Sequence, residues 1–328
     1  MKQAKTLFDK TRIGSLELKN RFIRAAVADK TQDGRVDETM IENYLALARG
    51  GVGTIVTGYT LASPDEKRLP IVALYGDEFI GGHEILTTTI REYDVNLVLQ
   101  LVYVGSYTPA GWESGGPVAV APSSVANRIT NTPAREMRLT EIKAVQIEFA
   151  DAALRAKKAG YDGVEIHAAH GFLLSQFLTP YYNRRTDSYG GPIKNRARML
   201  LETFETVRDT VGDDFGVWVK INTTDNMDEG ISPDDCRYVC RELAALGVDA
   251  IETSGNWVSM ATRNFVYFKD AAEIIAEEND VPVILTGGNR DFSEMTDILN
   301  TTKIGYFGIA RPFMKNPNLV NDFARDCL

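Results

Sequence analysis

Two of the three histidines in this 328-residue chain stand three positions apart, His167 and His170 in the run "EIHAAHGFLLSQF". A neutral imidazole can donate a hydrogen bond, so two of them aimed at one oxygen would stabilise negative charge developing there. The same spacing also suits a hydrogen-bonded pair of semi-buried histidines, or a metal site. A metal site wants a third ligand; the remaining histidine, His83, falls in a helical stretch and no cysteine lies at a strand end, so no metal is expected. Lys220, in "GVWVKINT", is an ammonium among apolar residues and needs a partner. That partner is either an internal carboxylate such as Glu165 or a cofactor or substrate that becomes anionic. Gly287-Gly288 in "VPVILTGG" and Arg311 in "IGYFGIAR" combine backbone freedom with a guanidinium fork, a pairing that suits a phosphate. Together these residues describe an enzyme with a phosphate-bearing ligand, an imidazole pair and a buried cation.

The elements that must position them repeat along the chain. Short apolar runs at 21–27, 53–61, 95–105, 162–169, 216–223, 249–255, 281–288 and 304–311 each lead into an amphipathic helical stretch. Strands so continuously apolar are covered on both faces, and eight strand–helix units close a (β/α)8 TIM barrel. A doubly wound sheet predicts five or six strands and a glycine-rich turn after the first; "RFIRAAVADK" has none. Helix starts are expected at Asp37, at Thr140 with Glu141, and at Ser232-Pro233-Asp234, and helix ends at Gly50, Gly160 and Gly247. A Gly/Pro-rich excursion follows the third strand up to about residue 137. Barrel chemistry gathers at the carboxyl ends of strands, where "EIHAAH", "VKIN", "LQLVYVG", "LTGG" and "GIAR" would meet. Residues 1–328 read as one barrel domain.

Composition sets the remaining bounds. With 44% hydrophobic and 25% charged residues the chain can bury a large core. A formal charge of -9 disfavours nucleic acid and anionic membrane as partners, while a local basic pocket for the phosphate of a small-molecule ligand is still allowed. Cys236, Cys240 and Cys327 make no disulfide framework. No signal-peptide core or stretch of roughly 20 apolar residues occurs, so a reducing, cytoplasmic setting is expected.

Several blocks resemble the old yellow enzyme family of NADH:flavin oxidoreductases. They are "LFDKTRIGSLELKNRFIRAA" (7–26), "GYDGVEIHAAHGFLLSQFLTPYYNRRTDSYGGPIKNRARMLLE" (160–202) and the closing "LTGGN" and "GIARPFMKNPN". The resemblance implies an N-terminal hairpin capping the barrel and FMN over its mouth. It implies the backbone of Ala25, Ala26 and Val27 at the flavin's N5 and O4 edge, Gly58 beside it, and Gln100 on the pyrimidine ring. Lys220 takes the place of a basic residue, often arginine, near N1 and O2. Gly288, Ala310 and Arg311 would hold the phosphate, Ala310 standing where glycine is usual. His167 and His170 match the pair that grips an oxygen conjugated to an alkene. The implied reaction is ping-pong: NADH or NADPH reduces FMN, and flavin N5 then delivers hydride to the β-carbon.

This sequence departs from the family at Phe172, where a tyrosine commonly protonates the α-carbon. Solvent or another hydroxyl would then supply the proton, with Tyr103 the best-placed candidate and Tyr181 or Tyr182 behind it. Otherwise the acceptor is a quinone or free flavin, or the enzyme is slow on simple enones. Val27-Ala28 replaces the Cys or Thr that many relatives use to tune the flavin. The cysteine cluster and dinucleotide domains of the larger dienoyl-CoA reductases are not found, which points to a diffusible nicotinamide as reductant. Two rival readings remain: a non-redox barrel lyase or isomerase using Lys220 as a Schiff-base amine, and a flavin-binding protein without turnover. A homo-oligomer is compatible with the resemblance, although no residue pattern specifies one.

Overall fold

The computed structural model describes residues 4–31, 33–108, 118–255 and 266–326. Eight parallel strands form the centre: β1 (Phe22–Arg24), β2 (Thr54–Val56), β3 (Asn96–Val102), β4 (Gly163–Ala168), β5 (Gly216–Asn222), β6 (Ala250–Ser254), β7 (Val283–Thr286) and β8 (Tyr306–Ile309). Each pairs with the next, and β8 pairs with β1, which closes the barrel. All eight fall inside the runs read from the sequence, with helices between them.

Side chains alternate across a strand, so inward positions recur every second residue. Ile23, Val56, Val98, Trp218, Ala250, Ile284 and Tyr306 share one apolar cluster with Ile13, Leu16 and Leu18. Those last three belong to an antiparallel hairpin, Thr11–Ile13 with Leu16–Leu18, which seals the amino-terminal end of the barrel. The Tyr306 hydroxyl fastens it by donating to the Arg12 carbonyl oxygen at 2.8 Å. Two residues further along the strands the inward positions become Gln100, Lys220, Glu252, Thr286 and Gly308. This polar layer faces the opposite, carboxyl-terminal end.

Helix ends follow local chemistry, with two corrections. Asp37 caps Glu38–Arg49 by accepting from the Met40 N–H at 2.8 Å, and Ser232 caps Pro233–Ala245. The helix Leu139–Lys158, however, starts one residue before the expected cap: Arg138 is the cap, because Glu141 reaches back to accept its N–H at 2.7 Å, leaving Thr140 inside. Gly160 and Gly247 take the left-handed conformation expected after a helix, with φ of +84° each. At the first helix Gly50 stays right-handed and Gly51 makes that turn, at φ +92°. The excursion after β3 contributes two short paired strands, Ala119–Ala121 and Ala134–Glu136. No helix among the described residues is long and apolar enough to cross a membrane.

Candidate active site

The carboxyl end of β4 delivers the imidazole pair. His167 is the penultimate residue of the strand and is buried, while His170 sits in the turn beyond it with φ +61°, followed by Gly171 at φ +79°. Two left-handed residues in succession fold the chain back, so the rings lie 4.9 Å apart, near perpendicular. Asparagine, aspartate and histidine tolerate this backbone better than most residues, and glycine tolerates it freely. Asn222 at the end of β5 fixes the turn, its Oδ1 accepting the His170 N–H at 3.1 Å.

The protonation of the pair follows from its partners. His167 Nδ1 lies 3.2 Å from the Ala169 N–H and accepts from it, so the ring hydrogen is on Nε2. His170 Nε2 lies 2.7 Å from Ser254 Oγ, which leaves Nδ1 for a ligand when the serine donates. Burial, the neighbouring His170 and the Lys220 charge hold His167 well below the usual imidazole range. Burial and Lys220 hold His170 down to about 3. Both rings are therefore neutral donors at physiological pH. Ser254 was not singled out from the sequence; its signal was its place at the inward end of "AIETS".

Beneath the pair is a buried ionic cluster. Lys220 Nζ lies 2.6 Å from Glu252 Oε1, and Gln100 Nε2 donates to Glu165 Oε2 at 2.5 Å. The sequence named Glu165 as the carboxylate for Lys220; the direct partner is Glu252, because β5 and β6 pair with Lys220 opposite it. This ion pair also counts against the Schiff-base reading, since the amine is engaged with a carboxylate. Gln100 Oε1 is buried without a hydrogen-bond partner, an acceptor open to a ligand N–H.

Other residues singled out from the sequence lie around the mouth. Ala25 donates its N–H to the Ile309 carbonyl at 3.0 Å, so that group belongs to the barrel seam; Ala26 and Val27 beyond it are half-buried. Gly58 is a packing requirement as well: a Cβ there would lie 2.5 Å from the Val27 carbonyl oxygen and 2.7 Å from the Asp29 nitrogen. Its N–H donates to the Tyr44 hydroxyl at 2.8 Å, and that hydroxyl donates to Asp29. Gly287 and Gly288 adopt φ of +117° and +91°, and Asn289 ties β7 to β8 through the Leu285 and Gly308 carbonyls. Ala310 leads into Arg311, which is exposed and pairs with no carboxylate among the described residues. These donors fit a phosphate.

Tyr103 is not with the histidines. Gln100 points inward, so alternation turns Tyr103 outward. It lines a separate cavity of about 190 Å³ with Asp65, Glu66 and Arg135. Tyr182 accepts from the Arg128 N–H at 3.2 Å and Tyr181 lies under the Arg128 guanidinium, so both serve the excursion. The tyrosines beside Phe172 are instead Tyr59 and Tyr107, with ring centroids 5.3 Å from it in each case, while His167 is 4.8 Å from it. His83 is a buried helix residue bonded to the Tyr161 hydroxyl and the Ala73 carbonyl. No group of three or more metal-ligating side chains occurs among the described residues.

A closed (β/α)8 barrel with two neutral imidazole donors, a buried ionic layer and a phosphate-type strand end defines the class: a barrel enzyme with a site for a phosphate-bearing ligand. The pattern of the NADH:flavin oxidoreductase / NADH oxidase family matches residues 6–326, and the chain belongs to that family. FMN and NADH or NADPH are the cofactors that membership carries. A metal reductase of Desulforamulus reducens is 34% identical over 327 residues, covering 96% of this chain and 48% of that protein. An NADPH dehydrogenase of Clostridium acetobutylicum is 30% identical over 328 residues, covering 97% and 94%. Morphinone reductase in complex with tetrahydroNAD superposes with a TM-score of 0.86 at 25% identity, over 99% of this chain and 92% of that one. The chain thus spans about half the length of the first of these relatives and nearly all of the other two.

Proposed function

We propose that this chain oxidises NADH or NADPH through FMN and reduces the C=C bond of small α,β-unsaturated carbonyl compounds. Bound FMN supplies the hydride chemistry between the nicotinamide and the acceptor. Ala26, Val27, Gln100 and Lys220, with Gly58 alongside, would hold its ring; Gly288, Ala310 and Arg311 would hold its phosphate. The observation that carries the reading is the imidazole pair. Two neutral donors at one turn, one fixed by the Ala169 N–H and the other by Ser254, bind a carbonyl oxygen more tightly as it gains negative charge. Phe172 walls the site and donates nothing, so the α-carbon proton comes from Tyr59 or Tyr107, whose rings flank it.

Phe172 also favours a second reading, in which the acceptor is a quinone or free flavin that needs no α-carbon proton. The test is to load the protein with FMN, bleach it anaerobically with NADH or NADPH, and follow reoxidation by enones, quinones and nitro compounds. Rapid reoxidation by enones supports the first reading, and reoxidation by quinones alone supports the second. A protein that does not bind FMN would refute both.

A further inference from the structure

We propose that Glu165 and Glu252 hold one proton and one negative charge between them, so that Lys220 meets the bound cofactor as part of a neutral cluster instead of as a lone cation. This deepens the reading above and rests on it for the cofactor's place, though not for the proton count.

Three consecutive strands supply the cluster: Glu165 from β4, Lys220 from β5 and Glu252 from β6, all buried. Glu252 Oε1 bonds Lys220, and Glu165 Oε2 bonds Gln100. The remaining oxygens, Glu165 Oε1 and Glu252 Oε2, are buried without a hydrogen-bond partner, and the two carboxyls neighbour each other, with Thr286 also beside Glu252. Two facing carboxylates without a proton would repel in a site shut off from water; one proton between them satisfies both orphaned oxygens. The groups facing the pair are Lys220, Gln100, Thr286 and the neutral His170. Lys220 is the sole cation among them. Burial and the Glu252 charge raise Glu165 well above the usual carboxylate range, while Lys220 draws Glu252 down, so the proton belongs on Glu165.

Glu165 and Glu252 are then positioning residues that act through Lys220. Replacing either by glutamine leaves one carboxylate to balance the lysine; in Glu252→Gln, Glu165 loses its proton and takes over the pair. Only the double variant leaves Lys220 unbalanced.

The test uses infrared difference spectra of the purified full chain near neutral pH, without FMN. Each single variant should lose the same protonated-carboxyl band, and the double variant should lose no second one. After FMN loading, the flavin midpoint potential should stay near wild type in both single variants and become more positive in the double variant. If the double variant does not fold, the infrared comparison of the single variants decides. A Glu165→Gln spectrum that retains every protonated-carboxyl band would overturn the proposal, as would a single variant whose potential shifts as far as the double. A chain that shows the band but binds no FMN would sink the flavin reading and leave the shared proton standing.

Discussion

Ser254→Ala separates the two halves of the proposed reaction. The serine hydroxyl meets His170 Nε2 at 2.7 Å and touches neither His167 nor the phosphate end. Its loss leaves the imidazole in place, because Asn222 still holds the turn at the His170 N–H. What changes is the ring's orientation and the bias toward an Nδ1 hydrogen. A neutral hydrogen bond of this kind contributes about 0.5–1.5 kcal/mol net. If the full amount is needed only as charge develops on the substrate oxygen, the enone rate falls roughly two- to tenfold. Stopped-flow absorbance of the flavin reads both halves under anaerobic conditions. The expected result is slower reoxidation by an enone and little change in bleaching by NADH. Equal slowing of both halves would mean that Ser254 supports the fold of the mouth. No change in either would mean that His170 is not a working donor.

Phe172→Tyr places a phenol beside His167, and enone reoxidation should rise by about tenfold or more if protonation limits it, while quinone reoxidation should not. A variant no faster with any enone would show that proton supply is not limiting. Arg311→Ala removes the unpaired guanidinium at the phosphate end, and FMN titration should show affinity weakened by about ten- to a hundredfold; unchanged affinity would move the phosphate elsewhere. Stability should fall at both ends of the pH range. His83 is held down to about 4 by burial, against about 6.5 when unfolded, so the unfolded chain binds a proton the fold refuses and stability drops as pH falls from 6.5 toward 4. Burial pushes Glu66 up to about 8 from an ordinary 4.5, so stability is also lost as pH rises through that window; Glu66→Gln should flatten the alkaline side of a melting-temperature profile, and an unaltered slope would contradict the assignment.

The barrel was legible because its signal is repetition: eight apolar runs, each followed by an amphipathic stretch, survive uncertainty at any single boundary. His167, His170, Lys220 and Gly287-Gly288 were legible because a polar group or a glycine pair stands out at an apolar strand end. The connections between such residues were harder to read. Glu252 was missed as the lysine's partner because strand register, set by the closed barrel, decides which carboxylate lies opposite. Tyr103 looked well placed because it stands at the end of the strand next to the histidines' own, but its parity relative to Gln100 turns it to the outer face. Tyr59 and Tyr107 reach Phe172 from the ends of two other strands, a meeting that no local pattern encodes. Arg138 was hidden as a cap because the usual cap residue, Thr140, stands close by and Glu141 serves either arrangement.

The most direct test of the central claim compares both half-reactions in wild type and in His167→Ala/His170→Ala, each loaded with FMN. The account predicts that bleaching at saturating NADH survives, while reoxidation by an enone slows by at least about a hundredfold, the scale of losing donors to a developing oxyanion. Reoxidation by the enone at the wild-type rate would contradict it.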